Sequence, residues 1–191
     1  GTISLVGAVN GTINPTTFNN AGTIDVGTGT LSTGGNALTN TSGGVISGTG
    51  TLDLGGAMLT NSGVIRPAGT GATGTLSIAG NLTQGSSGAI DVELAGSSAG
   101  QFDVLAVSGS AALNGTLNVG YLSGYTPALG ANHPVLTYAS QTGTFSTISD
   151  AQSQTPTYGL TSFVLTGGAG AGTVFWDGGA STFNWIDALN W

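Results

Sequence analysis

The sequence predicts an all-β chain built as a parallel β-solenoid of about twenty residues per coil, closed by an aromatic-rich C-terminal cap. Three observations carry that expectation. Two short phrases recur along the first 120 residues at one slowly drifting interval, the polar surface has to be made from Thr, Ser, Asn and Gly, and aromatic residues gather beyond residue 101.

The first phrase is an apolar residue, a spacer and an amide. It reads Phe18-Asn19-Asn20, Leu38-Thr39-Asn40, Leu59-Thr60-Asn61 and Leu82-Thr83-Gln84, with the amides 20, 21 and 23 residues apart. Each copy is followed by a small-residue turn and an apolar run: AGTIDV, SGGVI, SGVI and SGAIDVEL. The second phrase, Gly-Thr-Leu, places Leu31, Leu52, Leu76 and Leu117 at steps of 21, 24 and 41 residues, the last close to two periods. A unit of this length holds three short strands joined by glycine turns. Stacked units bring equivalent strands to ~4.8 Å with parallel ladders between them, and each unit touches only its neighbours. Side-chain alternation then sends Leu31, Leu52, Leu76 and Leu117 into one inward stack. Asn20, Asn40, Asn61 and Gln84 read as a structural ladder, because a buried amide must be paired and equivalent amides of stacked strands can bond along the axis. A binding site is the sharper alternative for the same four.

Composition sets the remaining bounds. The 191 residues include 36 Gly and no Cys, 5% are charged, and the net charge is −7. Gly, Ser, Thr and Asn with Val, Ile and Leu make turns and strands rather than helices. The 39% of apolar residues supplies a core that a disordered chain lacks. Arg66 is the sole Lys or Arg, which excludes nucleic acid as a partner and removes a polybasic route to lipid. No apolar run reaches the roughly 18 residues of a spanning helix, so no membrane insertion by this segment is expected. The chain opens in mid-pattern at GTISLVGAVNGTI, so a targeting signal, if there is one, is expected upstream of these residues.

Residues 74–146 resemble the late passenger region of bacterial autotransporter and filamentous-haemagglutinin-like surface proteins. Asp103-Val104-Leu105-Ala106-Val107 followed by Gly109, then LNGTLNV at 113–119, then GYTPALG with VLTY and GTF after it, carry the resemblance. It implies a right-handed parallel β-helix at the cell surface or outside the cell. The terminal TVFWDGGASTFNWIDALNW resembles the opening phrase of a further block in multi-repeat surface proteins. The expected organisation is therefore coils over 1–120, a longer-looped cap over 121–173, and the start of a following block or a junction over 174–191.

Little in the sequence promises chemistry. Asp91 and Glu93 share a strand face by their spacing, with Asp53 or Asp25 a coil or more away, and these are the acids a polysaccharide-degrading enzyme would use. Charges on an exposed strand more commonly discourage sideways pairing. His133, the single His, is expected in a loop and has no Cys or second His to build a zinc site. Asp177 and the Asp91/Glu93 pair are oxygen donors, but without an Asp-rich loop no calcium is assigned and no cofactor is expected. Phe18 is the only aromatic before Phe102. Tyr121, Tyr125, Tyr138 and Phe145 are expected to close the terminal coil, with a glycan-stacking platform as the alternative. Phe175, Trp176, Phe183, Trp185 and Trp191 form a candidate interface with adjacent blocks or with copies of the chain. The expected function is structural, as an adhesin stalk or a unit of a surface fibre. The alternatives are a glycan-binding module and, less favoured, a glycan-degrading enzyme.

Overall fold

A computed structural model describes residues 1–5 and 7–168. Among them the chain is all-β, with no helix and therefore none long and apolar enough to cross a membrane. In chain order the strands are β1 (Thr2–Ser4), β2 (Gly11–Thr12), β3 (Phe18–Asn20), β4 (Thr23–Asp25), β5 (Thr30–Ser32), β6 (Leu38–Asn40), β7 (Val45–Gly48), β8 (Thr51–Asn61), β9 (Val64–Pro67) and β10 (Thr75–Gln84). They continue with β11 (Ala89–Leu94), β12 (Val104–Val107), β13 (Ser110–Leu113), β14 (Thr116–Tyr121), β15 (Asn132–Thr137), β16 (Ser140–Gly143), β17 (Thr147–Asp150), β18 (Thr155–Tyr158) and β19 (Ser162–Thr166).

One sheet is wholly parallel and runs β1-β4-β7-β9-β11-β14-β17. Its inward column is Ile3, Ile24, Ile46, Ile65, Ile90, Leu117 and Ile148 in register. The second sheet is mixed. Its parallel part pairs β2, β5, β8, β10, β12 and β15 in turn, with β3, β6, β13 and β16 alongside. Here Leu31 pairs with Leu52, Leu52 with Ile78 and Ile78 with Val107, while Phe18, Leu38, Leu59, Leu82 and Ala111 line up in a second column. Antiparallel pairing enters at the far edge, where β19 joins β15 and β18 joins β19.

The alternation of apolar and small polar residues produces this arrangement directly. In β10 every second residue from Leu76 to Gln84 is buried, and β11 repeats the pattern with Ile90, Val92 and Leu94. Glycine marks the turns because nothing larger fits: a Cβ on Gly44 would collide with Asn40 Oδ1, and one on Gly63 with the carbonyl oxygens of Thr41 and Gly44. At Gly80 the register of β8 against β10 shifts, since Leu54–Ala57 has no one-to-one partner there.

The four leucines of the Gly-Thr-Leu phrases are all buried, but they do not form one stack. Leu31 and Leu52 are neighbours. Leu76 instead pairs with Leu105, and the place beside Leu52 is taken by Ile78. Leu117 lies in the other sheet, between Ile90 and Ile148. The segment 68–74 lengthens its repeat, so the phrase enters β10 two residues early. At Leu117 the phrase begins at Gly115, the turn position that Gly63 and Gly88 occupy in earlier repeats, so a similar phrase stands at a different register.

Burying a charge at the centre of this core should be far costlier than changing the outer row. Leu52→Asp is expected to lose on the order of 4 kcal/mol in urea unfolding, and Ser47→Ala less than about 0.5 kcal/mol. Equal midpoints for the two variants would contradict the assigned register.

Candidate functional site

The amide phrase places Asn20, Asn40, Asn61 and Gln84 at the ends of β3, β6, β8 and β10, facing inward and almost wholly buried. Asn20 Nδ2 donates to Asn40 Oδ1 at 2.8 Å, Asn40 Nδ2 to Asn61 Oδ1 at 2.7 Å, and Asn61 Nδ2 to Gln84 Oε1 at 2.8 Å. The second proton of each donor reaches a backbone carbonyl of the following repeat, that of Val45, Val64 and Ala89 respectively. The chain of bonds stops at Gln84, whose Nε2 is buried and has no partner. Thr83 pairs with Ala112, so the next position is Leu113, which has nothing to accept with. Sealed from solvent and bonded to one another as far as Gln84 Oε1, these amides hold the strands in register and leave only the buried Gln84 Nε2 unpaired.

The polar row on the outer face of the parallel sheet is the other candidate. Asp25, Ser47, Arg66, Asp91, Asn118 and Ser149 stand in register on β4, β7, β9, β11, β14 and β17. Arg66 Nη2 meets Asp91 Oδ2 at 2.6 Å, and Asn118 Nδ2 donates to Asp91 Oδ1 at 2.7 Å. Glu93 Oε2 accepts from the backbone N–H of Gly71 at 2.6 Å and of Ala72 at 3.2 Å. Arg66, Thr70, Asp91, Glu93, Asn118 and Ser149 line an open groove of about 330 Å³. Asp91 and Glu93 thus share a face, as their spacing suggests, yet both Asp91 oxygens and one Glu93 oxygen already accept bonds from the protein itself. Among the described residues no three His, Asp or Glu side chains gather as a metal set. Asp177 lies outside the described residues.

Three polar arrangements escape the sequence reading. Asp103, at the entry to β12, is fully buried; its Oδ1 accepts from Gly74 N–H at 2.8 Å and its Oδ2 from Glu93 N–H at 2.9 Å. Burial pushes its carboxyl up to about 7, against the pull of those two N–H groups and with the Glu93 charge adding to the rise. His133 is not in a loop. It lies buried in β15, with Nδ1 3.3 Å from the Leu165 carbonyl, Nε2 2.9 Å from the Tyr125 hydroxyl, and Phe102 packed edge-on. Pro134 made the segment look like a loop, but the proline falls where the β15–β19 register shifts, a place where a strand tolerates it. Finally, Tyr121 donates to Asp150 and accepts from Gln154 Nε2 at 2.9 Å, while Asp150 also takes the N–H groups of Gln152 and Gln154. Burial, reinforced by the Asp150 carboxylate, raises the Tyr121 phenol above its ordinary value.

The described aromatic residues beyond residue 101 pack inward. Phe102, Tyr138, Phe145 and Phe163 are buried, Tyr121, Tyr125 and Tyr158 pack against the core, and among the described residues the exposed large apolar side chains are Val9, Met58, Leu129 and Leu160. Phe175, Trp176, Phe183, Trp185 and Trp191, with the expected junction over 174–191, lie outside the described residues. Compared with known proteins, no family model matches the chain and no curated protein matches it.

The amide column makes a graded prediction. Asn40→Leu takes an acceptor from Asn20 and a donor from Asn61 and should cost about 2–4 kcal/mol, whereas Gln84→Leu, at the unpaired end, should cost about 1 kcal/mol or less. Denaturant titration of the two variants decides, and a larger loss at Gln84 would contradict the direction assigned to the bonds.

Proposed function

We propose that the chain is a right-handed parallel β-solenoid segment of a bacterial extracellular surface protein, acting as a structural stalk for an adhesin or as a unit of a surface fibre. The observation that supports this most is the coincidence of parallel pairing among β3, β6, β8 and β10 with a buried amide chain running through four repeats. Buried amides joined across repeats stabilise only the stacking of one repeat on the next, which is the property a long scaffold needs. The outer face supports the same reading, because its charges are bonded to the protein's own groups.

Within that reading, a stalk formed along one polypeptide has more support than the stacking of copies through the edges at 140–150. There β16 and β17 carry Ser, Gln, Thr, Gly and Asp at their exposed or half-exposed positions with Ile148 the one apolar residue among them, and the antiparallel β18–β19 pair covers the edge of β15. The inward packing of the described aromatics gives no support to a glycan-stacking platform.

Electron microscopy and sedimentation of the purified chain test the proposal: narrow particles, single or joined end to end, are expected, and compact globular monomers would overturn it. Incubation with a panel of bacterial and host polysaccharides is expected to release no reducing or unsaturated ends. Turnover abolished by Asp91→Asn or Glu93→Gln would replace the structural reading with an enzymatic one.

A further inference from the structure

Two acidic side chains hold one loop. The segment 68–74 leaves β9 after Pro67, passes beside the outer groove through Thr70, and returns to β10 at Thr75. Its backbone is held by Glu93 through the N–H groups of Gly71 and Ala72, and by Asp103 through that of Gly74. Asp103 also accepts from Glu93 N–H and donates its own N–H to Glu93 O, so one buried carboxyl ties the loop, the end of β11 and the entry to β12 together. The loop stores strain as well. Ala68 has φ of 57°, in the left-handed region that a residue with a Cβ rarely adopts, and Gly69 and Gly71 follow at 87° and 81°.

No cation balances Asp103. The chain has no Lys, and Arg66 is engaged with Asp91 on the outer row. From β11 the facing charge is Glu93, with the Arg66–Asp91 pair beyond it. From β15 the titratable neighbour is His133, which packs on Phe102 and has both ring nitrogens engaged. The loop 68–74 and the start of β10 contribute no ionisable group.

We propose that loop 68–74 is a pH-responsive flap beside the outer groove, latched while Asp103 is neutral and loosened once Asp103 ionises in its buried place. A neutral carboxyl still accepts both N–H bonds, because its hydroxyl oxygen keeps a lone pair, and it carries no unbalanced charge. When the loop lifts, water reaches the carboxyl and its proton affinity falls back towards the ordinary 3.8, from about 7 in the closed form. Proton binding and loop closure therefore favour each other. The sign follows: with a folded value above the open one, the proton's contribution to closure is full below pH 3.8 and is lost as pH rises through about 7. Opening should grow by about tenfold per pH unit between those limits and level off above them.

The test is an NMR titration of the whole chain from pH 5 to 8. The Asp103 carboxyl and the Gly74 and Glu93 amides are expected to shift together with a midpoint near pH 7. Exchange protection at Gly71, Ala72 and Gly74, corrected for the intrinsic pH dependence of exchange, should fall across that range. Asp103→Asn should flatten the dependence, while Glu93→Gln should weaken protection at Gly71 and Ala72 and, by removing the neighbouring charge, move the Asp103 midpoint down. Protection that stays level in the unaltered protein, an Asp103 midpoint near 4, or a pH dependence that survives in Asp103→Asn would each overturn the flap.

Discussion

A polar group turned into a core must find its partner there, and in this chain the partner is the same group one repeat further on. That requirement governs the fold. Three hydrogen bonds of 2.7–2.8 Å join residues 20, 21 and 23 positions apart, and they form only if β3, β6, β8 and β10 lie parallel with their amides level. A slip of one residue would turn an amide outward and bury Thr39 or Thr60 in its place, leaving the neighbouring amides unpaired. Isoleucine and leucine columns supply the apolar free energy, but apolar contacts tolerate sliding. The amides give the stack its register, and the glycines that follow them leave the space they need.

The same geometry explains which parts of the fold could be read in the sequence. The amide column was legible because Asn and Gln are chemically distinct and recur at one place in each repeat. The parallel all-β arrangement was legible because two phrases drift together. The single leucine stack was not, because Leu, Ile and Val substitute freely inside a core. Ile78 can stand beside Leu52 as well as Leu76 would, and nothing in a Gly-Thr-Leu phrase states which strand it enters. His133 was misread since Pro134 normally interrupts strands, and only the register shift against β19 makes room for it. Asp103 carried no local signal: its role depends on Gly74 and Glu93, brought to it by pairing between repeats.

The outer face takes its character from scarcity of charge. With one Arg in the chain and Asp91 holding it, the groove beside Glu93 is a surface whose polar atoms are largely spent on bracing the protein, and solubility falls to hydroxyls, amides and backbone at the turns. Such a surface offers few strong points of attachment, which is in keeping with the scaffold role proposed above. The local exception is the corner at Asp103, where a carboxyl is buried without a counter-charge and the neighbouring loop answers to pH.

Side-chain amide exchange reads the buried bonds between repeats themselves. In deuterated solvent the NH2 protons of Asn40 and Asn61 should persist as long as the slowest backbone amides of β8 and β10, since all of them are released only when repeats separate. If those NH2 protons instead exchange as quickly as the exposed amide of Asn114, the amides are not joined through the core, and the account of what holds these repeats together is wrong.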